Sequence, residues 1–174
     1  MNIILIGGMY LMVIHDLEPE EAEKLNFPVK ENMIINKKEN IHNCIGCFGC
    51  WVKTPGKCVI KDNYSNMGEL LSKRDELVII SECFYGGYSP FIKNILDRSI
   101  SYLLPDFLIR KGEMHHKSRY KNKLKLKVYF YGDNITDLEK KTAIKLVNAN
   151  SDNLNAKVGL IMFLSKDKLM KEGF

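Results

Sequence analysis

No apolar run in this sequence approaches the ~20 residues that a transmembrane helix needs. The first eight residues also lack the basic segment and the small-residue cleavage site of a signal peptide. Hydroxyl side chains are scarce near the start, since Thr54 is the only serine or threonine between Met1 and Lys61. We therefore expect a cytoplasmic protein without a membrane partner, whose first third offers few hydroxyl donors.

Positive charge is concentrated in one stretch of the chain. The formal net charge is +5, and between Arg110 and Lys127 the only acidic residue is Glu113. Such a stretch is either a solvated loop that leads into a strand or a surface that attracts phosphate or nucleic acid. No helix-turn-helix, zinc-finger or RNA-binding signature accompanies it, so nucleic acid is not an expected partner. A dinucleotide phosphate fits the predicted fold better.

Short apolar runs alternate with helical segments along the chain. The run Glu76–Ser81 is typical of a strand buried on both faces of a parallel sheet. Helix starts are marked by Pro90 after Ser89 and by a capping-box spacing from Thr136 to Glu139. The alternation predicts an α/β protein with a three-layer, doubly wound sheet of five parallel strands.

We predict a single domain over residues 1–174. The predicted strands are Asn2–Ile6, Met33–Asn36, Glu76–Ser81, Leu126–Tyr131 and Lys157–Leu164, and the predicted helices are Glu18–Leu25, Ser65–Lys73, Ser89–Ser101, Thr136–Asn148 and Lys166–Phe174. A cysteine-rich loop at 41–60 and a long basic loop at 103–123 are expected as insertions. Ligands of such sheets bind at the carboxyl ends of the strands, so the loops that begin at Gly7, Glu82 and Gly132 should matter.

Four of the five cysteines fall within fifteen positions. Cys44, Cys47, Cys50 and Cys58 follow the spacing Cys-x2-Cys-x2-Cys-x7-Cys. Thiolates are soft ligands, and four of them can hold a [4Fe–4S] cluster or a tetrahedral zinc ion. The consecutive two-residue gaps favour iron–sulfur ligation over zinc, and four free thiols that line a pocket remain the third interpretation.

The remaining polar residues predict no catalytic set, because no nucleophile, base and orienting group are recognisable together. Cys83, just after a predicted strand, is interpreted as a wall of the active site or a core residue. Asp97 and Arg98 are interpreted as a surface or subunit ion pair. His115 and His116 are adjacent, so in a strand they would point to opposite sides and make poor joint metal ligands.

Three segments carry a family resemblance. Residues 44–62, Cys-Ile-Gly-Cys-Phe-Gly-Cys-Trp followed by Gly-Lys-Cys-Val-Ile-Lys-Asp, resemble the compact cysteine motif of the iron–sulfur flavoproteins. These belong to the wider group of NAD(P)H-dependent FMN reductases with the flavodoxin-like fold. The segment Asp75–Arg98 resembles the third strand, its loop and the following helix of that group. His115–Tyr120 resembles a histidine–arginine–tyrosine element of some members.

The resemblance implies an NAD(P)H-dependent oxidoreductase or electron-transfer flavoprotein. It implies FMN, a [4Fe–4S] cluster on the four cysteines, NAD(P)H as co-substrate, a small-molecule electron donor with an unidentified acceptor, and a homodimer or tetramer. Aromatic rings would contact the flavin and glycines would let the backbone approach it, although the same loop could be only a turn closed by packed rings. The implied cofactor contacts are Gly8, Cys83, Phe84, Tyr85, Gly86, Gly87, Tyr131 and Gly132.

The chain departs from this family after the predicted first strand. Members carry a hydroxyl-rich loop there, which opens a helix and holds the FMN phosphate. Here residues 7–15 read Gly-Gly-Met-Tyr-Leu-Met-Val-Ile-His. The phosphate would then be held by the basic stretch or not at all. The alternative function is a divergent binding protein that has lost FMN, with its cysteines free or holding structural zinc.

Overall fold

The computed structural model describes residues 10–25, 27, 34–38 and 40–172. Its strands are β1 (Leu11–His15), β2 (Ile34–Ile35), β3 (Glu76–Glu82), β4 (Leu103–Arg110), β5 (Glu113–Ser118), β6 (Lys125–Tyr131) and β7 (Lys157–Leu164). Its helices are α1 (Pro19–Lys24), α2 (Gly49–Val52), α3 (Met67–Ser72), α4 (Pro90–Arg98), α5 (Asp137–Asn153) and α6 (Lys166–Glu172).

Five parallel strands form the central sheet in the order β2-β1-β3-β6-β7. This order places the switch of winding direction between β1 and β3 and is that of the flavodoxin-like fold. Every residue from Glu76 to Ser81 in β3 is buried, because helices cover both faces of the sheet. The predicted fold class is therefore confirmed.

Two apolar layers hold the helices against the sheet. On one face, Met12 and Ile79 pack with Ile92 and Ile95 of α4 and with Val147 of α5. On the other face, the strands pack against α1 and α6 through the residues Val13, Leu17, Val78, Ala22 and Leu169. Strands that are apolar on both sides thus account for the three layers.

The first strand in the described residues is one that the sequence did not predict. β1 is Leu11–His15, and its residues pair in register with Glu76–Ile80 of β3. The predicted strand Asn2–Ile6 and the predicted contact Gly8 lie outside the described residues. The loop predicted to begin at Gly7 does not extend over residues 11–15, because these residues are inside the sheet. The turn that follows β1 is Asp16–Glu18.

Helices α4 and α5 begin where their sequence signals predict. Ser89 accepts a hydrogen bond from the N–H of Ile92, with Pro90 at the first helical position. Thr136 and Glu139 form a capping box at the start of α5. Both helices follow a strand of the sheet, so both run from its carboxyl edge towards its amino edge.

The segment predicted as a long basic loop is a β-hairpin. β4 and β5 pair as antiparallel strands, with Phe107 opposite His116 and Ile109 opposite Met114. The prediction of a loop over 103–123 is wrong for residues 103–118, because the Lys111–Gly112 turn lets two flanking strands pair. None of the helices in the described part of the chain is long and apolar enough to cross a membrane.

Candidate functional site

The four clustered cysteines line a single cavity of about 440 Å³. Cys44 and Cys47 are exposed, Cys58 is half-buried, and Cys50 lies in α2 with only 8% of its surface exposed. Apolar side chains from the ends of two helices complete the wall. They are Leu96 and Ile100 at the end of α4, Leu103, and Leu154 at the end of α5.

The thiols of this cavity influence one another electrostatically. Burial raises the pKa of the Cys50 thiol, and the nearby thiols of Cys58, Cys44 and Cys47 raise it further. A hydrogen bond from the backbone of Cys50 opposes these effects but does not outweigh them. In residues 40–172, no three side chains of the metal-binding types are arranged to hold an ion. The structure brings the predicted ligands to one cavity without assembling a coordination sphere.

A buried guanidinium holds the cysteine loop closed. Arg98 is fully buried and donates to both carboxylate oxygens of Asp62 at 2.7 Å. It also donates to the His42 carbonyl at 2.7 Å, so it joins the two ends of the cysteine loop to α4. The predicted surface pair of Asp97 with Arg98 is wrong, because Asp97 pairs with Lys93 instead.

The charge of Asp62 is stabilised by this clamp. Burial alone would raise the pKa of Asp62, yet hydrogen bonds from Arg98 and from the N–H groups of His42 and Tyr64 hold the pKa below its ordinary value. Arg98 also interacts electrostatically with the Cys58 thiol. A cationic group thus lies in the wall of the thiol cavity.

Aromatic rings connect the cysteine loop with the hairpin. Trp51 donates from its indole to the Leu103 carbonyl at 3.0 Å. Its ring centroid lies 5.6 Å from Phe48 and 4.8 Å from His116. His115 faces the opposite side of β5, with Nδ1 at 3.2 Å from Asn153. The two histidines point apart, as predicted for adjacent residues in a strand.

The carboxyl edge of the sheet carries the predicted aromatic turn. The N–H of Cys83 donates to the Tyr131 carbonyl at 2.8 Å, and Phe84 pairs with Gly87 around a tight turn. The Phe84 and Tyr85 side chains are 48% and 84% exposed, so their rings are available to a ligand. Seven of the eight predicted contacts therefore lie at one edge: Cys83, Phe84, Tyr85, Gly86, Gly87, Tyr131 and Gly132.

Packing fixes the positions of Tyr88 and Gly86 at this turn. Tyr88 is buried and stacks on Phe130 at 5.4 Å, so its ring belongs to the core. Gly86 has φ +75°, and a Cβ there would lie 2.9 Å from the carbonyl oxygen of Glu139. Glycine is therefore required at position 86 by the close approach of α5 as well as by the turn.

A small acidic pocket of about 170 Å³ lies beside this turn. The carboxylate of Asp16, which follows β1, is buried and accepts from the Glu82 N–H at 3.0 Å and from the Tyr131 hydroxyl at 2.9 Å. Burial, followed by the nearby Asp16 carboxylate, raises the pKa of Tyr131. The other lining residues are Glu18, Glu21, Lys37, Gly132, Asp133 and Lys166.

Sequence comparison relates about half of the chain to known proteins. No family model matches the chain. An iron-sulfur flavoprotein of Archaeoglobus fulgidus is 30% identical over 87 residues, which cover 50% of this chain and 38% of the relative. An iron-sulfur flavoprotein of Methanocaldococcus jannaschii is 33% identical over 61 residues, 35% of this chain and 31% of the relative. The chain spans well under half the length of these relatives.

Solved structures extend the similarity to nearly the whole chain. An azoreductase from Bacillus anthracis superposes with a TM-score of 0.56 at 10% identity, covering 92% of this chain and 88% of that one. General stress protein 14 from Treponema denticola, determined in complex with FMN, gives 0.50 at 13% identity over 91% and 86%. The chain has the flavodoxin-like fold. About half of it is similar in sequence to part of the iron–sulfur flavoproteins.

The β1 turn of this flavodoxin-like protein does not suit a flavin phosphate. In this fold the phosphate is bound where the first strand leads into a helix, by free N–H groups at the helix start. Here Pro19 has no N–H, and Glu18 and Glu21 form a reciprocal capping box that uses their own N–H groups. The surrounding side chains are mainly carboxylates. The aromatic turn fits a flavin ring, whereas the β1 turn does not fit its phosphate.

The basic stretch lies too far away to replace these missing phosphate ligands. Arg110 and Lys111 bind the carbonyl and the carboxylate of Asp152 at the end of α5. Lys127 lies in β6, where it pairs with Glu76 at 2.8 Å. All of these contacts are at the amino edge of the sheet. These three basic residues therefore have partners at the amino edge, away from the aromatic turn.

Sequence reasoning missed Asp16 and the buried role of Arg98. Asp16 follows a run of five largely buried residues, which marks the end of a strand once β1 is placed correctly. Arg98 ends a helix whose apolar face is clear, but its partner Asp62 is distant in sequence. Only the folded arrangement brings this pair together.

Proposed function

We propose that the chain is an oxidoreductase of the iron–sulfur flavoprotein type. In this proposal Cys44, Cys47, Cys50 and Cys58 hold a [4Fe–4S] cluster, and the aromatic turn contacts a flavin that is reduced by NAD(P)H. The observation that carries the proposal is that all four thiols line one cavity. The names of the sequence relatives and the FMN bound to a structural relative support it.

The donor chemistry of the cavity fits a cluster. Four thiolates are the ligands that a [4Fe–4S] cluster takes, and such a cluster accepts and returns single electrons. The guanidinium of Arg98 would offset negative charge on the thiolates, while Trp51 and Leu154 limit the access of water. Binding requires that the thiols lose their protons.

The aromatic turn would bind the ring of a flavin. Phe84 and Tyr85 offer exposed faces, with their centroids 5.0 Å apart in an edge-to-face arrangement. Because the β1 turn does not suit the phosphate, the turn's contribution is limited here to binding and orienting the ring. A small-molecule electron donor, an unidentified acceptor and assembly as a homodimer or homotetramer belong to the same proposal.

Anaerobic purification followed by absorption spectroscopy tests this function. We expect broad iron–sulfur absorption together with flavin bands, and iron and sulfide close to four per chain. Cys58→Ser should lose most of the iron. Cys83→Ser, the matched control at the opposite edge of the sheet, should retain it. A preparation with neither flavin nor iron would overturn the proposal.

A second candidate is a binding protein that has lost flavin, with cysteines that are free or hold zinc. The acidic turn after β1 favours it, since this turn disfavours the phosphate of FMN. Metal analysis of protein from zinc-supplemented and iron-supplemented cultures separates the two candidates. One zinc per chain, no iron and no binding of FMN or riboflavin would support the second candidate.

A further inference from the structure

We propose that the carboxyl edge of the sheet excludes the phosphate of a flavin, so that riboflavin binds more tightly than FMN. This inference rests on the flavin-binding part of the proposed function. It concerns which flavin the chain selects. It derives from the acidic pocket beside the aromatic turn, at the place where this fold ordinarily receives a phosphate.

Charge is the first reason. Five carboxylates line the pocket against two lysines, and both lysines are already paired. Lys37 lies 3.2 Å from Glu18, and Lys166 lies 2.6 Å from Glu21. A phosphate brought to this turn would meet more negative than positive charge, and the repulsion is strong in a partly enclosed pocket. The five carboxylates belong to Asp16, Glu18, Glu21, Glu82 and Asp133.

The second reason is a shortage of hydrogen-bond donors. A phosphate binds to a helix start through free N–H groups, yet Pro19 has none. The Glu21 N–H donates to the Glu18 carbonyl at 3.0 Å, and the Glu18 N–H donates to the Glu21 carboxylate at 3.1 Å. The Glu82 N–H is taken by Asp16. Of these three N–H groups, two donate to carboxylates and one to a carbonyl, so none of the three is free to bind a phosphate.

Hydrogen bonds within the sheet hold the Asp16 carboxylate in the position where it would repel a phosphate. This carboxylate is 2% exposed and joins the ends of three neighbouring strands, through the Glu82 N–H and the hydroxyl groups of Ser81 and Tyr131. These contacts fix a negative charge beneath the turn. A phosphate cannot displace Asp16 without breaking hydrogen bonds that connect β1, β3 and β6.

An unphosphorylated flavin has the complementary chemistry. The ribityl chain of riboflavin ends in a hydroxyl group, and hydroxyl groups donate hydrogen bonds to carboxylates. When they are ionised, carboxylates such as those of Glu18 and Asp133 accept hydrogen bonds and donate none. The neutral chain therefore meets acceptors without repulsion, while Phe84 and Tyr85 remain free to contact the ring.

Fluorescence titration with riboflavin and FMN tests the preference. We expect riboflavin to bind at least about tenfold more tightly than FMN. Raising the ionic strength from about 0.01 M to about 0.1 M should strengthen FMN binding, because salt screens repulsion, and should leave riboflavin binding unchanged. FMN binding that is tighter than riboflavin binding, or that weakens with salt, would overturn the inference.

The double variant Glu18→Gln/Glu21→Gln tests the cause. It removes two carboxylates and releases Lys37 and Lys166, so we expect FMN affinity to rise about tenfold with little change for riboflavin. The control Glu69→Gln/Glu113→Gln removes two exposed, ion-paired carboxylates elsewhere and should change neither affinity. Circular dichroism checks that both variants fold.

The outcomes separate this inference from the proposed function. If the native chain binds neither flavin, the flavin part of the proposed function fails. A gain of FMN binding in the double variant would then still support exclusion by the carboxylates. No gain in the double variant would overturn the exclusion, whatever the native chain binds.

Discussion

The two ends of the sheet offer opposite chemistry. At the amino edge, four thiols and a buried guanidinium line an apolar cavity. At the carboxyl edge, exposed aromatic rings lie beside a pocket dominated by carboxylates. Helix α5 connects the two ends, since Glu139 packs on Gly86 and Asn150 lines the thiol cavity. These two residues of α5 are about 16 Å apart along the helix axis.

The site at the carboxyl edge is formed by the sheet itself, whereas the thiol cavity is formed by the inserted cysteine loop. The ligand edge follows from parallel strands whose carboxyl ends meet. The thiol cavity instead depends on a loop that α4 holds at the other edge through Arg98. The two sites therefore have separate structural supports, and mutations at one should leave the other intact.

Removing the guanidinium of Arg98 should have the largest effect on stability. Arg98→Met leaves the buried Asp62 carboxylate without its partner, and breaking such a pair costs about 3–5 kcal/mol. Urea denaturation measures the loss. The control Lys93→Met on the same helix removes an exposed pair with Asp97 and should cost less than about 1 kcal/mol. Equal losses of unfolding free energy in the two variants would show that the Arg98–Asp62 pair does not stabilise the cysteine loop.

Acid should destabilise the β1 strand through His15. Burial, with a smaller effect from Lys37, lowers the pKa of His15 to about 4. The unfolded chain binds the proton at the ordinary pKa of about 6.5, so about 3 kcal/mol of stability is lost as the pH falls from 6.5 to 4. Denaturation at several pH values measures this slope.

His15→Leu should flatten the dependence of unfolding free energy on pH in that window. His42→Leu is the control, because the His42 side chain is exposed at the other end of the molecule. If His15→Leu and the native chain lose stability in parallel, His15 is not the responsible group.

Removing one hydroxyl should loosen the carboxyl edge. Tyr131→Phe deletes the 2.9 Å hydrogen bond to Asp16, and a bond to a buried charged group contributes about 2 kcal/mol. Thermal denaturation measures the change. Tyr85→Phe, on the exposed ring of the same edge, should leave stability unaltered. Unchanged iron content in Tyr131→Phe would support the independence of the two ends.

The smallest expected effect comes from a methyl group at the aromatic turn. Gly86→Ala and Gly112→Ala both place alanine at a positive φ, which costs about 1 kcal/mol. Only Gly86→Ala adds a clash, with the Glu139 carbonyl oxygen 2.9 Å away, because position 112 faces open space. We expect Gly86→Ala to be about 1 kcal/mol more destabilising by denaturant titration. Equal losses would contradict the close approach of α5.

Local signals in the sequence predicted much of the fold. β3 reads as a continuous apolar run, and α4 and α5 begin at the side-chain caps that Ser89 and Thr136 provide. The order of strands and helices then specifies a parallel sheet. These elements could be predicted because each depends on neighbours within a few residues.

Elements that depend on distant pairing were mislocated. Leu11–His15 is apolar but was not predicted as a strand, and its pairing with β3 is what makes it β1. The hairpin was missed although the apolar run Phe107–Ile109 precedes a turn at Gly112, because the surrounding basic charge suggested a loop. The four cysteines were recognisable by spacing, whereas the carboxylates that meet beside the aromatic turn come from three separate segments.

The hydrogen bonds from Arg98 to both ends of the cysteine segment affect how fast this segment opens. Because His42 and Asp62 are joined by the Arg98 guanidinium and by a hydrogen bond from the His42 N–H to Asp62, residues 43–61 form a closed loop whose two ends meet beside Arg98. Such a loop can open as a local unit while the sheet remains folded. Amide hydrogens within it should therefore exchange with solvent faster than those of β3. Their exchange rate should depend on how often the contacts of Arg98 with His42 and Asp62 break. Metal ions could reach the thiols during the same openings, without global unfolding.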